Sequence, residues 1–311
     1  MAFLLLYIRC ICTIGDIIIN LHPIKQRNTK SNILIDKHIN EINVLYGQGM
    51  SLTKIGKKLS IDRKALARLL KNNNVESRKG FYYASKYNLN EHYFDVIDTE
   101  EKAYILGFIY ADGNNLFKTN RVSIQLSIID KEILQKFSKI MFDIENLKYR
   151  KNKNNKGIEF EYVSLNMYSK YMSRHLANLG VIERKSHFIT FPEWLDKSLY
   201  RHFIRGLIDG DGWIYLPATN RMSPNVGLIC TRQINDKLSI FFDKELGLKS
   251  YLCKAYKQDF EIMCEIRIKN YHQTKILLDW LYKDSTIYLK RKHDLYLKFI
   301  NMYNNLREHN K

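Results

Sequence analysis

Ala103-Tyr104-Ile105-Leu106-Gly107-Phe108-Ile109-Tyr110-Ala111-Asp112-Gly113 and His202-Phe203-Ile204-Arg205-Gly206-Leu207-Ile208-Asp209-Gly210-Asp211-Gly212 are two copies of one pattern. Each reads as an apolar helix that stops at an Asp-Gly pair, and the segments downstream of the two copies are also alike. After the first come an alternating strand over Val122–Ser127 and a helix over Asp130–Phe142. Strands near Leu147–Lys151 and Ile158–Leu165 come next, then a helix from about Tyr168 to Leu179. The second copy is succeeded by strands near Val226–Thr231, Ser250–Tyr256 and Phe260–Ile268, and by helices over Asn235–Leu246 and Tyr271–Tyr282. The expectation is an α+β protein made of two pseudosymmetric αββαββα repeats, residues 100–192 and 193–305, the second carrying a C-terminal helix.

Gly107 and Ala111 in one copy, and Gly206 and Gly210 in the other, lie four residues apart on one helix face. Small residues at that spacing let two helices approach closely and form the axis of a pseudodimer. Asp112 and Asp211 then sit at adjacent carboxyl ends. Two carboxylates beside the negative ends of two helix dipoles repel each other unless a cation lies between them. Oxygen donors without paired Cys or His imply Mg²⁺ rather than zinc. A calcium-loop reading of Asp209-Gly210-Asp211-Gly212 fails, because Asn220 stands where the bidentate acid is needed. The nine histidines form no ligand spacing, and no GxxxxGK phosphate loop is present.

With these residues in view, the sequence resembles the LAGLIDADG homing endonucleases in their single-chain, two-motif form, over about Thr99 to Phe299. The resemblance implies that Asp112 and Asp211 bind metal, with the backbone carbonyls of Ala111 and Gly210 assisting, and that two or more Mg²⁺ ions serve the pseudodimer. It also implies a lysine near each active site, after the last helix of each repeat. Gly180-Val181-Ile182-Glu183-Arg184-Lys185-Ser186 and Tyr288-Leu289-Lys290-Arg291-Lys292 occupy those places, so Lys185 and Lys292 are the candidates. The first copy departs from the motif: Tyr110 stands where the second has the acidic Asp209. The implied activity is a double-strand break with short 3′ overhangs at a long, asymmetric DNA site. The implied agent is a monomer, and the implied biology is intron homing by a mobile genetic element. The rival reading is a non-cleaving DNA- or RNA-binding protein on the same scaffold, an intron maturase or a transcription regulator.

Strand alternation divides the sheets into a core face and an outward face. Over Val122–Ser127 the outward set is Ser123, Gln125 and Ser127; over Glu261–Lys269 it is Glu261, Glu265, Arg267 and Lys269, with Ile262, Cys264, Ile266 and Ile268 inward. Polar groups on a curved sheet can meet base edges in the major groove, so Gln125, Arg267 and Lys269 are candidate DNA contacts. The basic, amide-rich hairpin Lys148–Gly157 adds Lys148, Arg150, Lys151 and Lys153 as phosphate contacts.

Upstream, residues 36–75 read as a small all-α module. Ile39, Ile42, Val44 and Leu45 mark one helix ending at Gly47-Gln48-Gly49; Ser51 caps a second, Leu52–Leu59; Ser60-Ile61-Asp62 turns into a third, Arg63–Lys71, with Leu66, Leu69 and Leu70 buried. The string Tyr46-Gly47-x-Gly49-x-Ser51 with Ile55-Gly56 and Leu59-Ser60-Ile61 resembles the helix-turn-helix of resolvases and related DNA-binding proteins. Arg63, Lys64, Arg68 and Lys71 are its candidate DNA contacts, on a stretch from Lys30 to Lys79 with eleven Lys/Arg against four Asp/Glu. Residues 76–99 read as a linker lying along DNA or the next domain, and residues 1–35 as a poorly ordered extension. Arg9 and Asp16 interrupt its apolar run, which leaves neither a clean membrane span nor a signal peptide.

The 311 residues carry 50 Lys+Arg against 32 Asp+Glu, a formal charge of +18, which favours a polyanionic partner, nucleic acid first. An apolar fraction of 45% excludes a mostly disordered chain. Five cysteines without a CxxC pair argue against a disulfide framework and for a reducing, intracellular, DNA-associated setting. Four prolines with abundant Lys, Asn and Ile point to AT-rich coding DNA, as in a phage, a bacterium or an organelle. The chain lacks the terminal Cys and Asn of a splicing intein and is not expected to be one.

Overall fold

The structure is a computed structural model that describes residues 29–48, 50–73, 75, 88–153, 157–218 and 223–309. The extension up to residue 28, linker residues 76–87 and hairpin-tip residues 154–156 lie outside the described residues. The chain divides into two compact units, Met1–Tyr83 and Ala84–Lys311.

Among its described residues the first unit has three helices, α1 (Lys30–Gly47), α2 (Leu52–Leu59) and α3 (Arg63–Asn72). Helix α1 begins at Lys30, capped by Thr29, so residues 30–35 are helical and not part of an extension. Ser51 caps α2 by accepting from the Lys54 amide at 3.3 Å, and Asp62 caps α3 by accepting from the Lys64 amide at 2.9 Å. Between them Ser60 takes the left-handed conformation (φ 57°), and the Ile61 amide donates to the Gly56 carbonyl at 3.0 Å. A Cβ on Gly56 would lie 2.6 Å from the Ile61 carbonyl oxygen, so the turn requires glycine there. Ile42, Leu45, Ile55, Leu66, Leu69 and Leu70 form the core. Val44, expected inward, is exposed because it falls on the opposite side of α1 from Ile42 and Leu45.

The second unit is α+β, with two antiparallel four-stranded sheets. Its first half runs α4 (Glu100–Asp112), β1 (Gly113–Leu116), β2 (Arg121–Ser127), α5 (Lys131–Phe142), β3 (Leu147–Lys153), β4 (Glu159–Tyr168) and α6 (Lys170–Asn178). The second runs α7 (Tyr200–Asp211), β5 (Gly212–Tyr215), β6 (Asn225–Thr231), α8 (Arg232–Leu246), β7 (Ser250–Lys254), β8 (Met263–Lys269) and α9 (Tyr271–Tyr282), and ends in α10 (Lys290–His309). Strand orders are 1-2-4-3 and 5-6-8-7, the same arrangement twice. Each half is the αββαββα unit expected from the repeat. Strands β1 and β5 start directly at the motif glycines and are four residues long, too short for alternation to reveal them.

One apolar core joins both halves, and α4 and α7 cross at its centre. A Cβ on Gly107 would lie 2.0 Å from the Phe203 carbonyl oxygen, and one on Gly206 would lie 2.1 Å from that of Tyr104. The two helix backbones are thus in direct contact, which only glycine permits. Residues 88–99 belong to this core: Tyr93 and Phe94 are buried, and the Asn90 amide donates to the Met141 carbonyl at 2.8 Å. The described part of the linker therefore lies along the first half. Strand β8 begins at Met263, and Ile262, expected inward, is exposed ahead of it.

Candidate active site and nucleic-acid interface

The crossing brings the carboxyl ends of α4 and α7 together. A Cβ on Gly210 would stand 2.3 Å from the Ala111 Cβ and 3.3 Å from Asp112 Oδ2, so the two Asp-Gly corners touch. Burial is the first cause that pushes Asp112 up to about 6, and the Asp211 charge is the second; Lys292 and Lys185 oppose it. Asp211 is raised as well, by loss of solvation, against the pull of Lys185 and Lys292. A carboxylate pair that resists full ionisation, with two helix C-termini beside it, gains from a hard cation.

Both sequence-derived lysines reach this place. Lys185, buried in a single helical turn after α6, donates to the Ala111 carbonyl at 2.6 Å. Lys292, in the first turn of α10 and 2% exposed, donates to the carbonyls of Ile208 at 2.5 Å, Asp209 at 2.7 Å and Gly212 at 2.6 Å. Its three N–H donors are thus matched by three carbonyls at the end of α7. Burial pulls Lys292 down to about 8 and also lowers Lys185, while the aspartates hold both up. Each ammonium therefore caps a motif helix and supplies positive charge beside the aspartates.

The segments that deliver the lysines are tied to the motif helices and to β1. In the first half the Tyr110 hydroxyl donates to the Leu179 carbonyl, and the Asn115 amide donates to the Val181 carbonyl at 2.9 Å. In the second, Asp209 is wholly buried and accepts from Tyr104 at 2.8 Å, Tyr282 at 2.6 Å and the Leu289 amide at 2.7 Å. Tyr110 and Asp209, which differ between the motif copies, thus do related work. Arg205 went unread in the sequence. It is buried and donates to the Ile287 and Leu281 carbonyls at 3.0 and 2.8 Å and to Glu100 at 2.6 Å, linking the halves. A lone charge in an apolar helix was the signal for it.

Among the described residues no three His, Cys, Asp or Glu side chains converge. A metal at the paired corners would draw on Asp112, Asp211, the carbonyls of Ala111 and Gly210, and water. That all-oxygen set fits a hard divalent ion and not a thiolate- or imidazole-seeking one. The Ala111 carbonyl would share its lone pairs with Lys185.

Register sorts the remaining candidates by face. Ser123 pairs with Asn166, Gln125 with Ser164, and Lys148 and Arg150 with Ser164 and Tyr162, so Gln125, Lys148 and Arg150 share the outward face. Arg121, Asn114 and Asn166 join them and were missed in the sequence. Lys151 and Lys153 fall on the opposite face, where they pair with Glu161 at 2.6 Å and Glu159 at 3.1 Å. Strand alternation continues into the hairpin and separates residues that share only their charge. In the second sheet Arg267 and Lys269 face outward as expected. Glu265, expected exposed, is buried, because Arg267 Nε donates to it at 2.7 Å and covers it. In the first unit Arg63, Lys64, Arg68 and Lys71 are all exposed on α3.

No family model and no curated protein sequence matches the chain. Solved structures similar to it include full-length DUF199/WhiA from Thermatoga maritima, 16% identical, with a TM-score of 0.42 over 71% of this chain and 70% of that one. The LAGLIDADG homing endonuclease I-SmaMI bound to cleaved DNA is 12% identical, with a TM-score of 0.41 over 67% and 90%. The LAGLIDADG homing endonuclease I-GzeII in complex with DNA target is 11% identical, with a TM-score of 0.44 over 67% and 91%. These are distant likenesses of fold. Among the described residues no helix is long and apolar enough to cross a membrane.

Proposed function

We propose that this chain is a metal-dependent, site-specific DNA endonuclease of the LAGLIDADG type, acting as a monomer with two catalytic corners. The observation that carries the reading is the pair of motif helices in backbone contact, which set Asp112 and Asp211 side by side with a buried lysine on each helix end. Asp112, Asp211 and the carbonyls of Ala111 and Gly210 would hold Mg²⁺. A divalent ion there supplies Lewis-acid stabilisation of charge on a phosphate. Lys185 and Lys292 offset the carboxylates and the helix ends, and add positive potential where a phosphate oxygen gains charge. The polar face bearing Gln125, Lys148 and Arg150, and the face bearing Arg267 and Lys269, would hold duplex DNA across the two halves. Helix α3, with Arg63, Lys64, Arg68 and Lys71, would serve as a recognition helix of a helix-turn-helix and extend the contact.

The test is digestion of genomic DNA by the full chain in Mg²⁺, with sequencing of the broken ends. Discrete ends with short 3′ overhangs are expected at a long site. Tight, specific binding without any break would leave a regulator or maturase on this scaffold as the correct description.

A further inference from the structure

The two outward sheet faces differ in chemistry. In the first half the face offers Asn114, Ser123, Gln125, Asn166 and Arg150, side chains that can donate or accept at base edges. The register of the second sheet instead puts Trp213, Tyr215, Ile229, Tyr251, Cys253 and Met263 outward. Ile229, Tyr215 and Tyr251 are exposed there. Asn225, Glu265, Arg267 and Lys269 share this face and find their partners within it, Lys269 Nζ lying 4.9 Å from the Tyr251 ring centroid. Trp213 Nε1 donates to Asn225 Oδ1 at 2.9 Å, and the Arg267 guanidinium is bonded to Glu265 and lies 5.5 Å from the Trp213 ring centroid. The indole lies across Gly227, where a Cβ would come within 2.2 Å of the ring. A glycine in mid-strand thus makes room for a flat apolar platform.

We infer that the second sheet reads its half of the DNA site through thymine C5-methyl groups, while the first sheet reads its half by hydrogen bonds. The inference rests on the DNA-endonuclease reading and goes beyond it. Thymine carries the one apolar group on the base edges of the major groove. A face of aromatic and aliphatic side chains gains from covering that methyl. Cytosine lacks that methyl, so the contact is lost opposite it. Duplex DNA is the occupant because β5 begins at Gly212, directly after Asp211, so this face continues from the catalytic corner. Exposed Lys269 ends this face and exposed Lys254 flanks it, on a chain of charge +18.

The experiment begins with duplexes selected from a random pool by the full chain in Ca²⁺. The winning duplex is then rebuilt with uracil replacing one thymine at a time, which removes only the methyl. Several positions in one half-site should each bind about four-fold more weakly, the worth of one buried methyl group. Uracil in the other half should be tolerated. Ile229→Ala or Tyr251→Ala should abolish the sensitivity at its own position, and Gln125→Ala should change base preference only in the uracil-tolerant half. Tight binding with uracil tolerated throughout, or unchanged sensitivity in both Ile229→Ala and Tyr251→Ala, would overturn the inference and leave the DNA reading standing. Failure to retain any duplex would overturn both.

Discussion

Alanine at Gly107 would place a methyl group against the backbone of the opposing motif helix. Its Cβ would lie 2.0 Å from the Phe203 carbonyl oxygen, 2.9 Å from that carbonyl carbon and 3.1 Å from the Leu207 nitrogen. A carbon and a carbonyl oxygen rest at roughly 3.3 Å or more, so the helices must part by over ~1 Å. Overpacking costs about 1–3 kcal/mol where side chains can yield; here backbone meets the new atom, and ~3 kcal/mol or more is expected. For a unit the size of Ala84–Lys311 that is a fall in melting temperature of roughly 6–12 °C. Thermal unfolding monitored by circular dichroism reads it directly. Gly247→Ala is the control: φ is +64° with nothing within 4 Å, so only the left-handed backbone is strained, at about 1 kcal/mol. Separation of the helices also parts Asp112 from Asp211, so Gly107→Ala should lose cleavage even below its melting point. A Gly107→Ala protein melting within about 2 °C of wild type would refute the backbone contact on which the site is built.

Lys292→Met should leave three carbonyls at the end of α7 without their donor, at about 3 kcal/mol or more. Lys290→Met, nearby on α10 and solvent-exposed, should leave the urea midpoint unchanged. His202 is pushed down to about 4 by burial, with Arg205 as the second cause. The unfolded chain therefore takes up the proton first as pH falls below 6.5. Stability should be full above about pH 6.5 and decline towards pH 4 by about 1 kcal/mol, since solvent screens the half-buried ring. Glu100, held below the usual carboxylate range by the Thr286 amide and Arg205 against its burial, is lost in the same direction. His202→Gln should flatten the profile between about pH 4 and 6.5, and an unchanged slope would reject the assignment. Neutralising Arg63, Lys64, Arg68 and Lys71 together should weaken DNA binding and make log K less steep in log salt by up to ~3–4, about 0.9 for each phosphate no longer neutralised. An unchanged salt slope would take α3 off the DNA.

The repeat was legible because its signals are independent: small residues four apart, an Asp-Gly stop, and matched elements after each copy. The helices of the first unit were legible through their caps and spacing, with α2 beginning and ending where Ser51 and Ser60 place it. Charge alone misled at the hairpin. Lys151 and Lys153 share composition with Arg150, yet they lie on the other face with Glu161 and Glu159. The Trp213–Gly227 contact and the Arg205–Glu100 link were invisible for a different reason. Each depends on register or on long-range packing, which a local pattern does not carry. The lysines were located through resemblance, and the carbonyls that hold them emerge only when the segment after α6 and the start of α10 fold back onto the motif helices.

The central claim is that the two corners, Asp112 and Asp211, each serve one strand of a duplex. A supercoiled plasmid carrying the selected site, treated in Mg²⁺ with wild type, Asp112→Asn, Asp211→Asn and the double variant, tests it most directly. Wild type should give linear product, and the two single variants should nick opposite strands. The double variant should bind with no break. Linearisation by both single variants at the wild-type rate would contradict it.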